Sequence, residues 1–421
     1  MNPVRAFGRR TFASLAIRNY RLFFIGQGVS QSGTWMQTVA QGLLVLQLTG
    51  SGTALGVVTA LQTLPVLLFG AWGGVIADRL PKRSILYATQ TVSAVASLAL
   101  GALVIAGTIQ LWGVYVIAVI LGAVRVFENP ARQTFVREMV GDDRLRNAIS
   151  LNSTEMNLAR VIGPTIAAGL VASVGLGACF VVNGLSYIAV IAMLAMMRSE
   201  ELHPTQRVGR ASGQLVEGFR YAWSTPVVRN VLLMMAIIET FTYEFQVILP
   251  LLSEFTFDAG ASGYAALTAA MGIGAVIGGL YTASRRRSTP RMLVIAACLF
   301  GLSVLLTAIA PTLTLAFCAL IVVGFFSINF TSLGNVTLQL ESAPTMQGRV
   351  MALWSVAFLG TTPIGGPIIG AIGEHIGPRW GLAVGGLAAL AAAGLGLRAL
   401  PLVRSRLPPP VLKPLTEPGT E

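Results

Sequence analysis

Apolar runs of about twenty residues alternate with short polar segments along most of the 421-residue chain. A run of that length crosses a hydrocarbon core of roughly 30 Å at 1.5 Å per residue, so each predicts a membrane-spanning helix. Spans are predicted near 22–46, 54–77, 84–106, 111–133, 147–172 and 177–197, then near 228–252, 262–283, 291–310, 313–337, 349–373 and 380–400. The two sets resemble each other. Arg18-Asn19, Ser51 and Ala54 recur 211 residues later as Arg229-Asn230, Ser262 and Ala265; Glu138, Arg146, Gly163 and Pro164 recur at an offset of 203 as Glu341, Arg349, Gly366 and Pro367. Internal duplication of this kind marks many transporter folds. The expected fold is all-α and integral to the membrane, with twelve transmembrane helices in two pseudo-symmetric six-helix bundles. The bundles are expected over 1–200 and 227–403, joined by a linker over 201–226 and followed by a disordered tail over 404–421. In the linker, Leu215, Phe219 and Ala222 share a helical face, which predicts a short amphipathic helix at the membrane surface.

Composition agrees with the pattern: 54% of residues are hydrophobic and 11% charged, too few to solvate a soluble surface of this size. The net charge of +12 is a matter of position. Of 29 Lys and Arg, three (Arg125, Arg160 and Arg379) lie outside alternate connections, which leaves 26 on one side. That asymmetry makes the basic side cytoplasmic, with both termini there, and the expected location is a bacterial inner membrane. No basic face is interleaved with aromatics, so no nucleic acid is expected. The lysines, Lys82 and Lys413, follow Pro81 and Leu412, so no phosphate-cradling loop for ATP is present. His203 and His375 fall on opposite sides and no Cys or His set has ligand spacing, so neither a metal nor another cofactor is expected, nor an enzyme. Cys179, Cys298 and Cys318 lie in apolar runs and imply no disulfide.

The connection after the second span reads Gly73-Gly74-Val75-Ile76-Ala77-Asp78-Arg79-Leu80-Pro81-Lys82-Arg83. It resembles the signature loop of the major facilitator superfamily, with Pro81 where that family commonly has glycine. The stretches Arg18 to Phe24, Gly33 to Gln37 and Leu48 to Ser51 resemble a bacterial branch, the transmembrane secretion effector exporters, which includes enterobactin-exporter-like proteins. The resemblance runs to about residue 400 and implies export of small molecules. It also implies a gate at the loop: Gly74 for close approach, Asp78 against the start of the eleventh span near Arg349, and the basic residues Arg79, Lys82 and Arg83 around it. Arg285, Arg286 and Arg287 stand at the matching place in the second half and are expected to face Glu138, Asp142 and Asp143. Gly163-Pro164 and Gly366-Pro367 resemble the Gly-Pro element of the superfamily's exporters. Proline removes a backbone hydrogen bond and glycine permits close packing, so a kink is expected at each.

Polar residues inside the spans predict a cavity. Gln27, Gln31, Thr34, Thr38 and Gln41 recur at three- and four-residue steps on the first span, with Trp35 at the stripe's edge and Gln37 off it. Ser332 and Asn335 form a shorter stripe on the tenth, and Tyr243 and Gln246 of the seventh are assigned to the same lining. Charges at membrane depth cost at least about 2.5 kcal/mol each on insertion scales, so they face a cavity or one another. Arg125, Glu128 and Arg132 share a face of the fourth span, which lets the acid pair with either arginine. Glu155 and Arg160 lie in the fifth span and Glu239 and Glu244 in the seventh. Glu239 is the first candidate proton carrier, with pairing to Arg160 or a cationic substrate as alternatives; the arginine-flanked Glu128 is assigned to a charge relay.

The expected activity is export of an organic small molecule (siderophore, drug or metabolite) by alternating access with proton antiport. An uptake permease or facilitator, or a receptor or assembly factor that moves nothing, remain the alternatives. The expected partners are a small-molecule substrate, membrane lipid and protons. The chain is expected to act as a monomer, although Gly52-x-x-x-Gly56 and Gly381-x-x-x-Gly385 suit internal packing and dimerisation equally.

Overall fold

Turn chemistry divides the apolar runs. Gly50, at φ 63°, ends the first long helix, and the Ser51 side chain begins the next by accepting the Ala54 amide at 3.1 Å. Glycine takes the left-handed conformation without a Cβ clash, and a serine oxygen satisfies one of the amides left free at a helix start. Thr289 and Thr312 cap two later helices in the same way. Gly141, at φ 66°, separates two 31-residue segments.

A computed structural model describes residues 12–203, 214–284, 289–343, 346–359 and 361–404. The helices are α1 (Arg18–Thr49), α2 (Gly52–Arg79), α3 (Lys82–Ile105), α4 (Leu111–Gly141), α5 (Asp143–Ser173), α6 (Leu176–Ala195), α7 (Gln214–Ser224) and α8 (Pro226–Phe241). They continue as α9 (Phe245–Phe255), α10 (Gly260–Ser284), α11 (Pro290–Ala308), α12 (Leu313–Glu341), α13 (Gln347–Leu359), α14 (Thr362–His375) and α15 (Pro378–Arg404). Among the described residues, eleven segments are long and apolar enough to cross a membrane. The 32-residue α1 also has the length, and its polar stripe lowers its hydropathy. With α8–α9 and α13–α14 as one pass each, the fold is the expected all-α arrangement of twelve passes.

The seventh and eleventh passes differ from the continuous helices predicted, because each is two half-helices. Between α8 and α9 the amides of Thr242 and Tyr243 both donate to Ile238 O, at 2.7 and 3.1 Å, and Thr242 Oγ1 donates to Gly385 O at 2.7 Å. The two bonds to Ile238 O give these amides partners where the helix breaks at membrane depth. The sequence duplication recurs in the packing: α3 lies on α6 and α2 on α4, as α11 lies on α15 and α10 on α12.

The halves meet unevenly. At the end of the molecule away from the basic loops, the distal face, α2 packs along α14, and α9 touches α1 and α2. A Cβ on Gly52 would stand 2.6 Å from Gly370 O, and one on Gly366 2.9 Å from Gly56 O, so the close approach needs glycine on both helices. The Gly52-x-x-x-Gly56 motif is thus spent on internal packing. Glu374 Oε2 fastens the same seam by accepting from Ser51 Oγ at 2.8 Å, Thr53 N at 2.9 Å and Thr53 Oγ1 at 2.6 Å. Toward the basic face, among the described residues, α13 barely touches α2. Beside that face α7 is pinned by an ion pair, Arg349 Nη1 to Glu217 Oε1 at 2.8 Å.

Candidate functional site

Two polar clusters sit at membrane depth. The first belongs to the N-terminal half. Gln31, Thr34, Thr38 and Gln41 of α1 face Arg125, Glu128 and Arg132 of α4 across a cavity of about 70 Å³. Gln27, one turn from Gln31, is buried with its Oε1 3.5 Å from Arg132 Nη1. Thr34 and Thr38 donate to carbonyls one turn back, at 2.9 Å each, and Thr34 also meets Tyr187 Oη at 3.1 Å. Gln62 of α2 donates to Gln41 Oε1 at 3.0 Å.

Helical spacing predicts an ion pair from Glu128 to Arg125 or Arg132. The structure corrects this: Glu128 Oε1 accepts from Gln90 Nε2 of α3 at 3.1 Å. Among the described residues no carboxylate lies within 4.0 Å of either arginine. The three side chains spread into a polar cavity, where amides take the place of direct pairing.

The second cluster forms where α1, α5 and the broken seventh pass converge. The Arg160 guanidinium lies 5.3 Å from the Trp35 ring centre, a distance that suits a cation–π contact, and is within electrostatic reach of Glu239 and Tyr243. Glu239 is buried, and its Oε1 has no hydrogen-bond partner. Tyr243 Oη stands 2.8 Å from both Ser327 O and Thr331 Oγ1 of α12. Glu244, also buried, lies within electrostatic reach of Thr362 in the first turn of α14, and its Oε1 is unpartnered. Gly365 leaves room for that carboxylate, since a Cβ there would come 2.8 Å from Glu244 Oε1. Glu155 is buried beside Gly28 of α1, within electrostatic reach of Arg132. Of the remaining cavity residues, Gln246 and Ser332 are half-buried, and Asn335 Oδ1 accepts from Gln339 Nε2 at 2.6 Å.

The Gly-Pro elements serve close packing. Gly163 lets α5 approach α1, where a Cβ would stand 2.6 Å from Ser32 O and from Trp35 Cβ; Pro164 and Pro367 lie inside α5 and α14. Of the gate residues, Gly74 is half-buried and Arg79 exposed. Lys82 Nζ pairs with Glu138 Oε1 at 3.2 Å. Arg83 donates to Ser199 Oγ and Leu194 O at 2.6 Å each, placing a cation on the last carbonyls of α6. Arg285, Arg286 and Arg287, and the side chains of Asp78 and Asp142, lie outside the described residues.

Sequence reasoning missed Gln37, which lines the first cavity and accepts from Asn183 Nδ2 at 2.7 Å, along with Gln62, Gln90, Asn129 and Tyr187. A lone amide in an otherwise apolar run was the available signal for Gln62 and Gln90.

Twelve passes in duplicated sets around two buried polar clusters define the major facilitator fold. A bacterial homolog of the human lysosomal transporter Spinster, solved inward-facing and unoccupied, matches with TM-score 0.71 at 13% identity over 93% of this chain and 99% of that one. A POT family transporter solved with a thioalcohol-conjugated peptide matches with TM-score 0.77 at 10% identity, over 92% and 96%. The chain belongs to the transmembrane secretion effector family, whose profile matches residues 9–409. It is 26% identical over 359 residues to the multidrug efflux pump Tap of Mycolicibacterium fortuitum, covering 82% of this chain and 87% of that protein. It is 23% identical over 381 residues to the enterobactin exporter EntS of Escherichia coli O1:K1 / APEC, covering 90% and 89%. The staphyloferrin A transporter of Staphylococcus aureus is 21% identical over 338 residues, covering 79% and 84%.

Proposed function

We propose that the protein is a secondary transporter of the inner membrane that exports an organic small molecule by alternating access, coupled to proton entry. One observation carries this reading: the buried carboxyl of Glu239, with no hydrogen-bond partner for its Oε1, faces Arg160 of the other half, below the packed α2–α14 seam and on the side where α13 barely touches α2. With the basic face in the cytoplasm, the packed distal seam supports reading this conformation as inward-open. Substrate enters between the halves, and closure of the basic face with release of the distal seam delivers it outward.

Proton binding at Glu239 weakens its attraction to Arg160 and frees the halves to move against each other. Glu244 and Glu155 are the second and third carboxyls on this route. A potential of 100 mV supplies about 2.3 kcal/mol per proton moved, enough for roughly a fifty-fold substrate gradient. The relatives' named cargoes, siderophores and drugs, make organic molecules of that size the first substrates to test.

Purified protein in vesicles, loaded with such a panel and given an imposed pH gradient, tests the reading. An antiporter concentrates a substrate against its gradient, a facilitator only equilibrates it, and a receptor moves nothing. Glu239→Gln is expected to abolish gradient-driven accumulation while leaving counterflow intact. Accumulation at the wild-type level in that variant would remove Glu239 from the coupling step.

A further inference from the structure

The α4 cavity carries more positive charge than its surroundings answer. Two guanidinium groups, Arg125 and Arg132, line it with a single carboxylate, Glu128, which is held by Gln90. Arg132 leans toward Gln27 and Glu155, as described above. Arg125 stands about 21 Å along α4 from its distal end, near the middle of the membrane, and makes no hydrogen bond or ion pair among the described residues. A lone guanidinium at that depth costs the protein several kcal/mol unless water or a ligand completes its donors. The cavity it lines also presents hydroxyls and amides, Thr34, Thr38, Gln62 and Tyr187, beside Glu128.

From this geometry we infer that the cavity is the subsite for an anionic group, a carboxylate carried by the transported molecule, with Arg125 as its primary partner and Arg132 as the second. The inference rests on the reading of this cavity as part of the transport path and adds the substrate's chemical class. Size supports it. A space of about 70 Å³ holds several waters or a carboxylate, whereas a drug-sized ligand needs roughly 300 to 1,000 Å³. Only a terminal group fits, and the rest of the molecule lies outside it. Charge supports it too, because two guanidinium groups stand against one carboxyl group in the lining, an excess that disfavours an amine. A guanidinium fork matches a carboxylate edge in a way that no neutral cargo can use.

The test measures equilibrium binding to full-length protein in nanodiscs at constant sodium chloride, by thermal unfolding or intrinsic tryptophan fluorescence. The probes are benzoate, benzamide and benzylamine, which share a ring and differ in charge. Benzoate is expected to bind at least tenfold more tightly than either of the others. Arg125→Gln is expected to weaken benzoate at least tenfold, Arg132→Gln to weaken it less, and Arg125→Lys to fall between wild type and Arg125→Gln. Equal binding of the three probes to wild-type protein overturns the inference without any variant, and so does benzoate binding that survives in both glutamine variants. No membrane gradient enters the measurement. A protein that binds benzoate through Arg125 but moves nothing refutes transport alone, and an active exporter indifferent to probe charge refutes the anion subsite alone.

Discussion

Glu374 offers a direct test of how the distal face is held shut. Its Oε2 accepts three hydrogen bonds at 2.6–2.9 Å from Ser51 and Thr53, all at the start of α2, so a carboxylate of one half sits on a helix N-terminus of the other. Charge-assisted bonds to a buried carboxylate contribute about 1.5–3 kcal/mol each. Glu374 is exposed, however, and a charge at an exposed helix N-terminus contributes only about 0.3–1 kcal/mol. Discounting for solvent screening, the whole latch is worth about 1–2 kcal/mol, so its loss shifts the balance between closed and open distal faces by roughly 5- to 30-fold. The perturbation is Glu374→Ala in a background where Cys179, Cys298 and Cys318 have been replaced. Spin labels at Thr108 and Pro311, exposed in distal loops of opposite halves, report the separation. Wild-type protein is expected to give a predominantly short distance, and the variant a longer population increased by the factor above. An unchanged distance distribution would show that the glycine seam alone holds the face closed and that the latch contributes nothing.

Two other changes probe different contacts. Gly56→Leu places a side chain where even a Cβ would approach Pro367 Cα to 2.8 Å; the protein is expected to fold but to lose closure of the distal face, read as loss of substrate counterflow in vesicles. Arg349→Ala removes a partly exposed ion pair worth about 0.2–1 kcal/mol, so thermal stability should hardly move while hydrogen exchange in α7 rises several-fold.

The spans were legible because a bilayer demands a run of apolar residues, and nothing else in the chain imitates that pattern. The cavity stripe on α1 was legible for the same reason in reverse, since amides at three- and four-residue steps have no place in lipid. The break in the seventh pass was not. Thr242-Tyr243-Glu244 carries neither proline nor glycine, and the hydroxyl anchor beside the break, Thr242 Oγ1 to Gly385 O, reaches 143 residues along the chain. Gln37 stayed hidden likewise, because its place in the cavity depends on Asn183, 146 residues distant. Spacing put Glu128 within reach of two arginines, but the choice between them and Gln90 was made by α3.

Both interrupted passes lie in the C-terminal half, while α1 and α5, their counterparts in the N-terminal half, run unbroken. The molecule therefore divides its labour. One half is a stiff wall that keeps its arginines and amides in fixed array, and the other owns the joints. Since α9 and α14 pack on α1 and α2 while α13 barely touches α2, a swing of the half-helices about those joints changes which doorway is open. Mutations that stiffen the joints would stall the cycle while leaving the arginine array undisturbed.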